Sequence, residues 1–220
     1  MKLARELERR LERLVDGATA AVFRGRMHPV DIADRLIRHL DFSQEDMGEG
    51  PEVPNDLTIR INPHDLDPEL DLGILSAELA NAVSVTAAER GWRLGGPVSV
   101  TIDEDRQVPR GLIDCVGRTA TGRLEPWGYL VAADRATTHD LADNRIHVGR
   151  GLDNDIVVSA PEISRRHAVI ARDREGISIR DLGSANGTYV NGQAVTEEPA
   201  KLRPGDQVVL GDVAFTIRWR

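Results

Sequence analysis

The chain has 220 residues, 40% of them hydrophobic and only 4% aromatic, with a formal net charge of −8; this is enough for one large or two small domains with aliphatic cores. Residues 1–117 carry 14 basic and 22 acidic side chains and residues 118–220 carry 14 of each, so the acidity lies in the first half and argues against a duplex nucleic-acid surface there. A single cysteine, Cys115, excludes an internal disulfide and a multi-cysteine zinc site, and no apolar run reaches the ~18 residues that span a bilayer. The charged start, Met1-Lys2-Leu3-Ala4-Arg5-Glu6, lacks the apolar stretch of a signal peptide, so a cytoplasmic protein is expected. Lys2 and Lys201 are the only lysines, as a high-GC coding sequence would produce.

Leu3, Leu7, Leu11, Leu14 and Val15 recur at helical spacing and predict an amphipathic first helix. A second helix is expected to open at Pro29, a favoured first-turn residue, with Val30, Ala33, Leu36, Ile37 and Leu40 on its apolar face. Residues 43–56 read as an acidic loop broken by Gly and Pro. Leu57, Ile59 and Ile61 alternate with polar residues, as in a half-buried strand. Asp67-Pro68 reads as the start of a long helix running to Arg90, with Gly91 as its C-terminal stop. Val98–Ile102 and Leu112–Val116 then read as a two-stranded hairpin around the acidic tip Asp103-Glu104-Asp105.

Beyond a short polar joint the pattern changes to short strands separated by turn residues. The expected strands are Gly128–Ala132, Arg145–Val148, Asp155–Val158, Ala168–Arg172, Gly176–Arg180, Thr188–Val190, Asp206–Leu210 and Val213–Trp219. The expectation is two domains: an N-terminal α+β interaction domain over 1–117, a joint over 118–124, and an all-β sandwich over 125–220.

Three polar clusters fall in the predicted loops of the second domain. They are Gly149-Arg150-Gly151, Ser164-Arg165-Arg166-His167, and Ser184-Ala185-Asn186-Gly187 followed by Asn191-Gly192. Gathered at one end of a sandwich, they would offer a guanidinium fork, a hydroxyl, an amide and exposed backbone donors to a tetrahedral dianion. Charge-assisted bonds of that kind contribute about 1.5–3 kcal/mol each.

In this order and spacing, Gly149-Arg150, Ser164-x-x-His167, Asn186-Gly187 and Asn191-Gly192 resemble the forkhead-associated (FHA) domain, over about residues 125–220. The resemblance implies an eleven-stranded β-sandwich that binds phosphothreonine peptides. It implies that Arg150 and Ser164 hold the phosphate and that Asn186 bonds the peptide backbone. His167 would buttress the loop, and Gly149 and Gly187 would permit its shape. Two positions depart from the pattern. Ala185 stands where many members carry a phosphate-binding threonine, its backbone N–H being all that remains to serve. Arg165 stands where some carry asparagine, adding a positive charge for the phosphate or the peptide.

The first domain resembles the N-terminal domain of actinobacterial FhaA-type proteins, through Phe23-x-x-x-Met27-x-Pro29, Val53-Pro54-Asn55 and Asn62-Pro63-His64-Asp65. That resemblance implies a cytoplasmic, non-enzymatic adaptor of Ser/Thr-kinase signalling linked to cell-wall synthesis. Its partner would be a phosphorylated kinase or membrane-associated cell-wall protein, which would recruit it to the inner face of the membrane. The alternatives from other classes are an oligomerising scaffold using the Leu3–Val15 stripe and an RNA-associated protein. DNA, direct membrane insertion, a cofactor and a metal are not expected.

The other clusters read as ordinary structure. Ser164 and His167 lack a specified acid for nucleophilic catalysis, His64-Asp65-x-Asp67 reads as turn and cap residues, and Asp153-Asn154-Asp155 lacks the glycine and glutamate of an EF-hand loop. Cys115 reads as a small buried hydrophobe. Thr119 and Thr121, flanked by Arg118 and Arg123, are candidate phosphorylation sites.

Overall fold

The computed structural model describes Leu11 and residues 27–46, 48, 50–133, 136–196 and 198–219. Apart from Leu11, the helix expected over Leu3–Val15 lies outside these residues. The described residues form two compact units. One comprises Pro51–Ala87 and Leu94–Arg123 with the described residues up to Asp46. The other comprises the described residues from Leu124 onward together with Ala88–Arg93 and residues 48 and 50.

In the first unit, helix α1 (Pro29–Ser43) begins where Pro29 fixes the first turn and the His28 ring Nδ1 accepts the Val30 N–H at 3.3 Å. Its buried stripe is Ile32, Ala33, Leu36 and Leu40; Val30 and Ile37 are half-buried, so the apolar face is centred on Ile32 rather than on them. Within the expected loop, Glu52–Val53 form a short strand, β1. Strand β2 (Asp56–Ile61) buries Leu57, Ile59 and Ile61 completely, as their alternation requires.

Helix α2 (Leu72–Arg90) starts later than expected. Asp71 is the residue that caps it, accepting the N–H groups of Gly73 at 2.8 Å and Ile74 at 3.1 Å. Asp67 instead closes a separate turn through Glu69 N–H and Leu70 N–H. Gly91 takes the left-handed conformation, φ +68°, that ends the helix. The two-residue strand β3 (Arg93–Leu94) follows and pairs with β1.

Strands β4 (Ser99–Glu104) and β5 (Ile113–Arg118) were expected to pair with each other, but β2 lies between them. Leu57 sits opposite Val100 in a parallel pair, and Ile59 opposite Cys115 in an antiparallel one. The cause is α2: it carries the chain back to the starting edge of β2, so β4 runs parallel to it. Asp103 and Glu104, read as part of a hairpin tip, lie in β4 opposite Arg60 and Ile61, and the loop that follows is tied to the turn after β2. Asp65 accepts Gly111 N–H at 2.6 Å, and Asn62 donates from Nδ2 to the Val108 carbonyl at 2.9 Å. His64-Asp65-x-Asp67 is thus turn and cap chemistry. Cys115 is half-buried, and burial, helped by the Asp114 carboxylate, pushes its thiol up to about 11.

The second unit is a β-sandwich of eleven strands among the described residues. They are β6 (Gly128–Ala132), β7 (Thr138–Leu141), β8 (Arg145–Gly149), β9 (Ile156–Val157), β10 (Ala168–Asp173) and β11 (Gly176–Asp181), then β12 (Thr188–Val190), β13 (Gln193–Ala194), β14 (Ala200–Lys201), β15 (Gln207–Leu210) and β16 (Val213–Trp219). One sheet has the order β14-β11-β10-β8-β9 and the other β13-β12-β15-β16-β6-β7. Val148, Ile170 and Ile179 from the first and Leu130, Val208 and Ile217 from the second are all fully buried in the shared core. Each such side chain contributes about 1.5–3 kcal/mol by leaving water. Strands β7, β13 and β14 were not foreseen. No described helix is long and apolar enough to cross a membrane.

Candidate phosphopeptide site

Three loops meet at one place on the sandwich: the β8–β9 loop, the β9–β10 loop and the β11–β12 loop. Backbone hydrogen bonds join the first two, Arg150 N–H donating to the Ser164 carbonyl and Gly151 N–H to the Arg165 carbonyl, each at 3.0 Å. Asn154, which is buried, reinforces this seam. Its Nδ2 donates to the Gly151 carbonyl at 2.8 Å and to the Arg165 carbonyl at 2.7 Å. Asp155 next to it accepts the His147 N–H at 2.7 Å. Asp153-Asn154-Asp155 therefore shapes a loop.

The third loop is attached through side chains. Ala185 N–H donates to Ser164 Oγ at 3.0 Å, and Asn186 Nδ2 donates to the Glu162 carbonyl at 2.8 Å. His167 lies beneath, fully buried, and touches both loops. Its Nδ1 accepts the Ser164 N–H at 3.1 Å, so its Nε2–H donates to the Gly187 carbonyl at 3.2 Å. The imidazole is thus bonded to the backbone of Ser164 and not to its hydroxyl, and is not poised to take the serine proton.

Asp181, at the end of β11, organises the loop from within. Its Oδ1 accepts Gly183 N–H and Ser184 N–H, each at 2.8 Å, and its Oδ2 accepts the Ser184 hydroxyl at 2.7 Å and the Thr188 hydroxyl at 2.6 Å. Burial pushes this carboxyl up, but the hydrogen bonds from Thr188, Ser184 and Gly183 outweigh it and hold it below the ordinary carboxylate range. Ser184 Oγ in turn accepts Gly187 N–H at 2.9 Å, where the backbone is left-handed, φ +78°.

The structure therefore brings Arg150, Ser164, Arg165 and Asn186 together on loops supported by His167 and Gly187. Arg150, Arg165 and Asn186 are exposed and Ser164 is half-buried. Gly149 allows the close approach: a Cβ there would lie 2.3 Å from the Arg165 carbonyl oxygen. The N–H of Ala185 is occupied by Ser164 Oγ, so it does not replace the missing threonine hydroxyl as a free donor. Asn191 and Gly192 stand apart from the cluster. They form the two-residue turn between β12 and β13, with φ of +51° and +80°. Asn191 bonds Asp206 and Gln207 rather than the three loops.

Asn154 and Asp181 escaped the sequence reading. Asn154 was visible only as part of an incomplete calcium loop. The spacing Asp181-x-Gly183-Ser184 is that of an Asx turn and could have marked Asp181. Thr119 and Thr121 are exposed on either side of Ala120, whose N–H and carbonyl are both held at 2.9 Å by the buried Asn55 carboxamide.

The family model for the FhaA N-terminal domain matches residues 4–116, more than half of the chain, and that for the FHA domain matches residues 146–211. Among curated proteins, the glycogen accumulation regulator GarA of Mycobacterium tuberculosis is 41% identical over 92 residues, which is 40% of this chain and 56% of GarA. The ABC transporter ATP-binding/permease protein Rv1747 of the same organism is 36% identical over 97 residues, 44% of this chain and 11% of the transporter. The chain thus spans from about a tenth to just over half of these relatives. Among solved structures, the FhaA FHA domain complexed with the intracellular domain of Rv3910 is 33% identical, covering 41% of this chain and 99% of that one, with a TM-score of 0.38.

Proposed function

The chain belongs to the FhaA N-terminal domain family and carries an FHA domain, and from that premise we propose that it is a non-catalytic adaptor that binds phosphothreonine peptides. The observation that carries the reading is the convergence of Arg150, Ser164 and Asn186 on three loops, two of them joined through His167 and the Arg150-bearing one tied to Ser164 and Arg165 by backbone bonds and Asn154. A phosphothreonine carries about −1.5 to −2 charges at neutral pH and three acceptor oxygens. The exposed Arg150 guanidinium supplies a planar fork of donors for them. Ser164 Oγ already accepts from Ala185 N–H, so its own proton is left to donate to the phosphate. Asn186 donates to the Glu162 carbonyl, which holds its carboxamide in place and leaves the oxygen to accept a peptide N–H.

Phosphothreonine is the product of a Ser/Thr protein kinase, so the adaptor serves kinase signalling, and the resemblance to FhaA-type proteins supports a link of that signalling to cell-wall synthesis. The reading divides the chain into an interaction domain over 1–117, a joint over 118–124 and the phosphopeptide-binding domain over 125–220. The adaptor works in the cytoplasm and reaches the membrane's inner face through its phosphorylated partner. Thr119 and Thr121 are themselves exposed kinase targets in this scheme. The test is a degenerate phosphothreonine peptide library passed over the immobilised chain, before and after phosphatase treatment. The reading expects enrichment that phosphatase abolishes. No enrichment, or enrichment that survives phosphatase, would overturn it.

A further inference from the structure

Residues 88–93 belong to the same compact unit as the sandwich, although they precede it in sequence and lie outside the segment 146–211. Their backbone is held by sandwich residues. Asn144 Nδ2 donates to the Trp92 carbonyl at 2.8 Å, Arg145 Nε to the Gly91 carbonyl at 3.2 Å, and Arg174 N–H to the Glu89 carbonyl at 2.9 Å. This anchoring delivers the largely buried Arg93 guanidinium to the β8–β9 loop. Its Nη2 donates to Asp155 Oδ1 at 2.7 Å and its Nη1 to Asp155 Oδ2 at 3.3 Å, a two-pronged pair, while Nε lies 3.4 Å from Asp143.

Asp155 closes the loop that carries Arg150. The loop leaves β8 at Gly149 and re-enters the sheet at Ile156, which pairs in parallel with Val148. Asp155 Oδ2 accepts His147 N–H, fastening the re-entry point back onto β8. The neighbouring Asn154 fastens the loop's middle to Gly151 and Arg165. Burial pushes the Asp155 carboxyl up, but bonds from His147 and Arg93 hold it well below the carboxylate range, so it stays charged.

We infer that Arg93 is a positioning residue of the phosphopeptide site: by clamping Asp155 it holds the Arg150-bearing loop in its binding shape. This rests on the phosphothreonine reading above. The clamp acts by preorganisation, sparing the ligand the cost of ordering the loop. It means that the binding unit includes a segment well upstream of the sandwich.

The experiment uses the full chain with one phosphothreonine peptide selected from the library. Wild type, Arg93→Ala, Arg93→Gln, Asp155→Ala and the Arg93→Ala/Asp155→Ala double variant are compared at low and high salt, with thermal unfolding as a folding control. Arg93→Ala is expected to bind about tenfold more weakly, mainly through faster dissociation, and to keep that deficit at high salt. The double variant is expected to be no weaker than the weaker single one. Binding by Arg93→Ala and Arg93→Gln within about twofold of wild type would overturn the inference, as would additive losses. So would a deficit that disappears at high salt, since Arg93 would then act only as a distant charge. Amide hydrogen exchange keeps the inference testable without a ligand. Gly151 N–H and Asn154 N–H, bonded to the Arg165 and Gly151 carbonyls, must exchange faster in both Arg93 variants. Unchanged exchange would refute the clamp; failure of wild type to bind any phosphothreonine peptide would refute the functional reading instead.

Discussion

Replacing His167 by alanine removes two bonds and one buried ring. The Ser164 N–H loses its acceptor at Nδ1, and the Gly187 carbonyl loses the Nε2 donor. The two losses are unequal. The Gly187 carbonyl still accepts Gly211 N–H at 2.9 Å, whereas among the described residues the Ser164 N–H has no such second bond. An unsatisfied donor costs about 1–3 kcal/mol. The cavity left by a fully buried imidazole adds about 2 kcal/mol. The expected destabilisation is therefore about 3–5 kcal/mol by urea unfolding. Two further variants separate the bonds. In His167→Asn the amide oxygen falls where Nδ1 stands and keeps the bond to Ser164. In His167→Gln the amide nitrogen falls where Nε2 stands and keeps only the bond to Gly187. Asn is expected to recover more stability and more phosphopeptide affinity than Gln. An alanine variant within about 1 kcal/mol of wild type and unaltered in binding would refute the buttress argument, and so would glutamine outperforming asparagine.

Gly149→Ala places a Cβ 2.3 Å from the Arg165 carbonyl oxygen and 2.9 Å from Asn154 Nδ2, so the two loops must separate. A cost of about 1–3 kcal/mol with loss of phosphopeptide binding is expected from denaturation and titration. For Asp181, the folded carboxyl lies below its unfolded value, so its contribution is present above about pH 4 and is lost as pH falls through the folded value. The difference in urea midpoint between wild type and Asp181→Asn should therefore be widest near neutral pH and shrink in acid; a constant difference would contradict it. The Cys115 thiol, pushed up to about 11, should react with iodoacetamide far more slowly at pH 8 than a free cysteine and accelerate as pH approaches 11. Rapid alkylation at pH 8 of the folded chain would count against its burial.

Local signals in the sequence are legible where one residue decides the outcome. Pro29 starts α1, Gly91 ends α2, and the alternation of Leu57, Ile59 and Ile61 makes β2. Errors arose where two residues offer the same signal or where pairing is non-local. Asp67-Pro68 and Asp71 both resemble caps, and only Asp71 has helical N–H groups above it. The neighbours of β2 depend on the α2 crossover, which periodicity cannot report. Strands β13 and β14, two residues each, are too short to carry a period. At the site, the exposed polar residues stood out as loop clusters. Asn154 did not, because it acts on the backbone of a different loop; Asp181 did not, because its one local signal is an Asx spacing common to ordinary turns; and Arg93 did not, because nothing in its own segment points to Asp155.

The central claim is that the three-loop site binds phosphothreonine through Arg150. Its most direct test is calorimetric titration of matched peptides bearing phosphothreonine, phosphoserine or threonine into wild type and Arg150→Ala. The account predicts saturable binding of the phosphothreonine peptide alone, abolished in Arg150→Ala while the fold is retained. Equal binding of the unphosphorylated peptide, or undiminished binding by Arg150→Ala, would contradict it.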